Sequence, residues 1–271
     1  MHYFSMALAV ALLAVPAATV AQDDDDVTQG DLQVAHGQVN WTDRVITATG
    51  SGAPDLKAQN LAVARLGAER VAKLDALRNI METIKGLQLS SEITVEQALV
   101  TNEKMKTKVE GIIRNFKVVK TNYYSDGGVD IIVQVPLDGV LGSTLVPGAT
   151  EGKALPEGQP AYTGVIIDAR GLKPLPALSP RLLDENGKTV YAAELLDQKV
   201  IEKWGVLAYF KDLEAARKNN RAGANPLLIK ALKLANGKSD LVLSNADVLK
   251  FSDPAANQKL LAEGRVIVVT D

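Results

Sequence analysis

Residues 45–68 read VITATGSGAPDLKAQNLAVARLGA. An apolar, β-rich run enters Gly-Ser-Gly, and a helical pattern follows. Such a junction is either a phosphate cradle or a strand-to-helix connection that holds no ligand. A dinucleotide fingerprint needs G-x-G-x-x-G, whose glycines make the turn, admit the pyrophosphate and pack helix on strand. Gly50 and Gly52 are present, but Asp55 stands at the third position. A carboxylate there repels a phosphate, and Pro54 removes one of the amides that would attract it. A second helix, not a second strand, follows the first. We therefore read residues 44–49 as a strand and Gly50 and Gly52 as the means of turning tightly into a long helix. No P-loop or Gly-x-Ser-x-Gly pattern occurs.

From Pro54 to about Lys85, Val63 or Ala64, Gly67, Val71, Leu74, Leu77, Met81 and Ile84 recur at steps of three and four, which predicts a helix with those residues inward. Pro54 suits the first helical position and Asp55 the positive end of the dipole. Thr94 and Gln97 form a capping-box pattern that opens a second helix. Its predicted inner stripe is Val95, Ala98, Asn102, Met105, Val109 and Ile112. Asp126-Gly127-Gly128 between two β-rich runs predicts a hairpin, with Val129, Ile131, Val133 and Val135 on the inner side of its second strand. Strand, helix, helix, strand, strand makes a compact α+β domain with the long helix on an antiparallel sheet.

The residues that carry this pattern resemble a known family. ITATGSGAP, the Ala-rich helix ending at Gly86-Leu87, SSEITVEQ and VKTNYYSDGGVDIIVQVPL are similar to the LPP-twenty lipoprotein family, over residues 43–138. That family includes the flagellar assembly lipoprotein FlgP, and the segment is also similar to the N-terminal domain of the flagellar protein FlgT. The resemblance implies an exported α+β module without enzymatic activity, which acts as a structural part of the envelope and in some members builds rings around the flagellar motor. It carries over no catalytic residue. Family lipoproteins bear an acylated Cys after the signal peptide. Here Ala21-Gln22 stands at that junction, which argues against a direct lipid anchor.

The remaining sequence frames this domain. Residues 6–21, MALAVALLAVPAATVA, are uncharged and mostly apolar, with Pro16 near the end and Thr19-Val20-Ala21 as a cleavage site. They read as a signal peptide over 1–21 and imply export to a periplasm. Residues 22–42 form a polar lead-in with an acidic run, Asp23 to Asp26, whose consecutive carboxylates lack the spacing of a Ca²⁺ loop. Val34, Val39 and Trp41 are its packing points. Residues 139–160 hold five Gly and three Pro and read as a linker. A second, smaller α+β domain of unrecognised type follows over 161–271. Its expected strands are 163–169, 206–210, 227–235, 240–244 and 265–269, and its expected helices 195–204, 212–219, 245–250 and 255–263.

Composition limits the chemistry. The chain contains no Cys, and its two His are His2 and His36, so thiolate metal sites, disulfides and most nucleophile–base pairs are excluded. The net charge of −2 gives no footprint for nucleic acid. Aromatics make up 4% of the chain, which removes the stacking platforms of a carboxylate glycosidase. Asp168 and Arg170 in IIDARG suggest a strand-end ion pair or a ligand contact. Asp184 and Glu185 in D-E-N-G read as a turn rather than a catalytic pair, and Arg217, Lys218 and Arg221 as a solvated basic cluster. No catalytic, cofactor-binding or metal residue is assigned. The expected role is a non-enzymatic envelope module with protein partners or copies of itself. The alternative is a periplasmic binding protein for a small ligand or cell-wall fragment, and a carboxylate hydrolase ranks third.

Overall fold

The computed structural model describes residues 32–34, 37–148, 161–235, 238–252 and 258–271. The expected signal peptide, the acidic run, His36 and residues 149–160 of the expected linker lie outside the described residues.

The N-terminal part runs β1 (Leu32–Val34), β2 (Gly37–Asn40), β3 (Val45–Gly52), α1 (Leu61–Gly86), α2 (Val95–Thr101), α3 (Glu103–Ile113), β4 (Lys117–Tyr123), β5 (Val129–Pro136) and α4 (Gly139–Leu145). The strands pair antiparallel in the order β1-β2-β3-β5-β4. Strict alternation on β5 buries Val129, Ile131, Val133 and Val135 as expected, because successive side chains point to opposite faces. β3 supplies Ile46, Ala48, Gly50 and Gly52 to the same buried face, with Gly50 opposite Ile131 and Gly52 opposite Val129. At the hairpin Gly127 takes φ 92°, where only glycine is unstrained, and Asp126 accepts the Gly128 amide.

The two glycines of the opening stretch do not make a turn. Both lie inside β3, and α1 is laid directly across them. A β-carbon on Gly50 would overlap the Ala76 nitrogen and the Ala72 carbonyl oxygen and lie 2.7 Å from the Ala76 Cα; one on Gly52 would overlap the Ala68 carbonyl. Contact this close needs small residues on the helix as well. Ala64, Ala68, Ala72 and Ala76, then Ile80 and Ile84, form the buried stripe at steps of four.

This corrects the expected inner face of α1. Val63, Leu66, Val71 and Leu74 are 48%, 58%, 51% and 68% exposed, since the larger side chains cannot enter the narrow gap above the glycines. The helix also starts later than predicted. Asp55 accepts the Lys57 amide and closes a local turn, and Asn60 is the cap, accepting the Val63 amide at 3.0 Å.

The capping box at Thr94 and Gln97 forms as read. The predicted second helix is interrupted, however. Asn102 is not on an inner stripe; it leaves the helix and caps α3 by accepting the Met105 amide. Val95 and Val109 are buried as expected, and Leu99 and Ile113 are buried in place of Ala98 and Ile112. Gly139–Leu145 is a helix where a linker was expected. Leu141 and Leu145 are sealed in the core, and apolar burial outweighs two helical glycines.

The C-terminal part contains β6 (Gly164–Asp168), β7 (Leu182–Leu183), β8 (Thr189–Tyr191), a short 3₁₀ turn (Ala193–Leu195), α5 (Gln198–Trp204), β9 (Ala208–Phe210), α6 (Leu213–Lys218), β10 (Pro226–Lys230), β11 (Lys233–Ala235), β12 (Asp240–Val242), α7 (Asn245–Ser252), α8 (Gln258–Ala262) and β13 (Val266–Val269). β10, β6, β13 and β9 form a parallel sheet in that order. Its central strands are buried on both faces, which is why GVIID and VIVV read as unbroken apolar runs. β11, β12, β7 and β8 form a second, mixed sheet. The single strand expected over 227–235 is thus two strands in different sheets. The expected helix over 195–204 is the 3₁₀ turn followed by α5, separated by Leu196 and the cap Asp197.

The two parts share one hydrophobic core. Val135, Leu137 and Leu145 belong to the same buried cluster as Val165, Tyr191, Leu207 and Val268. Trp41 packs edge-on against Tyr209, with ring centres 5.5 Å apart.

Candidate functional site

The polar residues singled out in the sequence are used structurally. Asp168 ends β6 and is held two-pronged by Arg170, at 2.8 Å from Nε and 2.6 Å from Nη2. Those hydrogen bonds hold the Asp168 carboxyl below its usual range. The neighbouring Gly171 amide donates to Asp271 at 3.0 Å. A parallel sheet can offer a ligand crevice at its carboxyl strand ends, but here the charged pair satisfies itself. Asp184 accepts the Asn186 and Lys188 amides and Gly187 takes φ 80°, so D-E-N-G is the expected turn. Glu185 and Asn245 exchange hydrogen bonds between β7–β8 and the start of α7. Among the described residues no group of three or more His, Cys, Asp or Glu is placed to hold a metal.

Arg221 is the clearest departure from the sequence reading. Expected in a solvated cluster, it is 1% exposed. Its guanidinium donates to the carbonyls of Gly264, Trp204, Gly205 and Val206. Burial pulls its pKa down to about 10, which leaves it charged at neutral pH. Tyr191, also buried, donates to the Val206 carbonyl, and burial raises its hydroxyl to about 12. These groups tie α5, the 219–222 turn and the start of β13 together. Arg44 approaches the same segment from the N-terminal part. It adopts φ 56°, covers Gly205 and donates to the Leu207 carbonyl at 3.2 Å. No short-range pattern marked either arginine; their partners are backbone carbonyls distant in sequence.

The 87–94 segment between α1 and α2 fastens the two parts. Leu178 and Ser179 donate to the Gln88 and Leu89 carbonyls. Ser91 Oγ accepts the Ser239 and Asp240 amides. Arg181 bridges the fully buried Asp240 carboxylate, 2.9 Å away, and exposed Glu92 at 2.8 Å. This seam is a structural joint in which the Arg181, Asp240, Glu92 and Ser91 side chains find partners.

What remains unspent is apolar surface. Val63, Leu66 and Leu74 line the outer face of α1 with Val71 on its flank, and Leu56 is 93% exposed just before it. A surface helix normally shows polar residues outward; α1 instead sets Val63, Leu66 and Leu74 around Arg70 on its outer side. Contiguous apolar patches beyond a few hundred Å² mark interaction sites on soluble domains. At its far end the face meets a cleft of about 530 Å³ between α1 and α2–α3, lined by Met81, Leu99 and Val100 with Lys85, Glu103 and Lys106. The β4 edge also shows exposed Val118, Val119 and Tyr123. That edge is blunted by Lys117, Lys120 and a bulge between Val118 and Lys120, devices that discourage strand addition. No helix among the described residues is long and apolar enough to cross a membrane.

Comparison with known proteins divides the chain along the same lines. Residues 38–136 match the family model of the LPP20 lipoprotein. Residues 164–271 match a model described as the second domain of Treponema pallidum Tp0624. No curated protein matches the chain. The first segment is thus similar to the LPP20 family, and the two matches bracket the two parts of the α+β fold. The LPP20 family is a family of lipoproteins and is not a known enzyme family.

Proposed function

We propose that this protein is a non-enzymatic, exported module of the bacterial envelope that works through protein–protein contacts. The observation that carries the reading is the outer side of α1: Val63, Leu66, Val71 and Leu74 stay exposed while alanines take the buried side. The candidate carboxylates and cations elsewhere are engaged in turns, ion pairs and carbonyl cages, which supports a scaffold over a catalyst. Residence in the periplasm follows from the signal-like residues 6–21, and attachment to the outer membrane runs through partners. The family resemblance makes flagellar assembly the setting to test first.

The test is a double variant, Leu66→Lys with Leu74→Lys. Both side chains face solvent, so the fold and melting temperature should hold. In-cell cross-linking of the wild-type chain should give a defined high-mass complex, and the double variant should run as a single chain. An unchanged complex in the folded variant, or no complex from the wild type, overturns the reading.

A further inference from the structure

We infer that the acidic run Asp23 to Asp26 of this same chain seats on the lysines of the β4 edge, as an intramolecular counter-charge to a basic surface. The inference goes beyond the proposed function and does not use the outer face of α1.

The basic surface is segregated and unpaired. Between Lys104 and Lys120 the sequence holds six cations and one acid, Glu110, in a chain of net charge −2. Lys104, Lys106, Lys108, Arg114, Lys117 and Lys120 are all exposed. Elsewhere cations such as Lys73, Arg170, Arg181 and Arg265 hold carboxylates. Among the described residues none of these six has an acidic partner. Lys104 and Lys108 are moreover a like-charged pair one helical turn apart, which weakens a helix.

The sheet aims two of these lysines the same way. Residues three apart on a regular strand point to opposite faces. The bulge between Val118 and Lys120 adds a residue, so that Lys117 stands opposite Gln134 and Lys120 opposite Ile132. Gln134 and Ile132 alternate with the buried residues of β5, so both lysines lie on the sheet face away from α1. In register with Lys117, a polar row runs back across the sheet through Gln134 and Thr47 to Gln38 on β2. Gln134 Nε2 donates to Thr47 Oγ1 at 3.3 Å. The shielded Gln38 Nε2 has no acceptor among the described residues.

Charge and chain length identify the occupant. Four consecutive aspartates stand six to nine residues before Leu32, outside the described residues. Leu32 opens β1 opposite Val39, Val39 stands opposite Ile46, and Ile46 opposite Val135. That register sets Leu32 at the Lys117 end of the sheet. Four strand spacings separate β1 from β4, roughly 19 Å. Six to nine extended residues reach about 20 to 30 Å, enough to cross the polar row to Lys117 and Lys120. One exposed ion pair is weak. Four carboxylates on so short a tether meet the lysines at an effective concentration on the order of millimolar.

Carbodiimide, which joins a carboxylate to an amine in direct contact, tests this on the full chain purified after export. Mass spectrometry of the digest should show Asp23 to Asp26 linked to Lys117 or Lys120, with the yield falling severalfold in about 0.5 M salt. In a mixture of isotope-labelled and unlabelled chains, each linked pair should carry one label. Absent links, links spread evenly over exposed Lys57, Lys173 and Lys233, or mixed-label links overturn the proposal. Replacing all four aspartates by Asn should leave the melting temperature unchanged and strengthen binding of an oligoglutamate probe about threefold or more. Equal binding by the two proteins overturns it as well. No readout involves α1, so this contact and the proposed function fail separately.

Discussion

Adding one β-carbon to Gly50 or to Gly67 should have opposite effects, because one glycine is covered by α1 and the other is open. At Gly50 the new atom would collide with the backbone of Ala72 and Ala76, and neither side can give without moving the helix. Gly50→Ala should cost about 3 kcal/mol or more in chemical denaturation, at the upper end of overpacking effects. Gly67→Ala meets nothing and gains helix propensity, so it should stabilise the isolated chain by up to about 1 kcal/mol. Asp168 gives a pH-dependent counterpart. Its carboxyl is held low by Arg170, so the pair contributes above the ordinary aspartate pKa, and the contribution is lost as pH falls through the lowered value. The stability gap between wild type and Asp168→Asn should therefore close in strong acid and remain constant around neutrality. At this scale the turns were legible in the sequence. Asp126-Gly127-Gly128 and Asp184 to Gly187 are local, and their residue types dictate the backbone. Arg221 and Arg44 were not, because the carbonyls they serve are brought near only by the fold.

Among elements, the 87–94 segment and its partner strand carry the sharpest contrast. Arg181 holds two carboxylates, one buried and one in water. Arg181→Ala strands the Asp240 carboxylate without its cation and should cost about 3 kcal/mol or more. Glu92→Ala removes a partner that is 64% exposed on its side chain and should cost less than about 1 kcal/mol. Paired denaturation curves check both; equal effects would mean that the seam is not held by the buried charge. Element types were largely readable from period and punctuation. The face of α1 was not, because its apolar residues form two stripes. Hydrophobicity alone favours the larger side chains for the core, and only the register of Gly50 and Gly52 under the helix reverses that choice. The Asn102 break is similar: asparagine fits a helical stripe by spacing but caps the next helix by hydrogen bonding.

Across the whole molecule, the shared core predicts that the two parts unfold together. Calorimetry should show one transition, and Trp41→Ala, which opens the contact with Tyr209, should lower it as a unit rather than split off a C-terminal shoulder. The sequence pointed to two separate bodies on a Gly/Pro tether. It could not show that α4 would fold into the core, since glycines weaken the helical pattern that burial restores. The same limit applied to the candidate site. An outward apolar stripe looks like an inward one until the packing is known.

The central claim is that the outer face of α1 is the working surface, and in-cell photo-cross-linking tests it most directly. A photo-reactive residue at Leu74 should give protein adducts of defined mass, while the same residue at exposed Thr49 on the open sheet face should give none. Adducts at Thr49 with none at Leu74 would contradict the account.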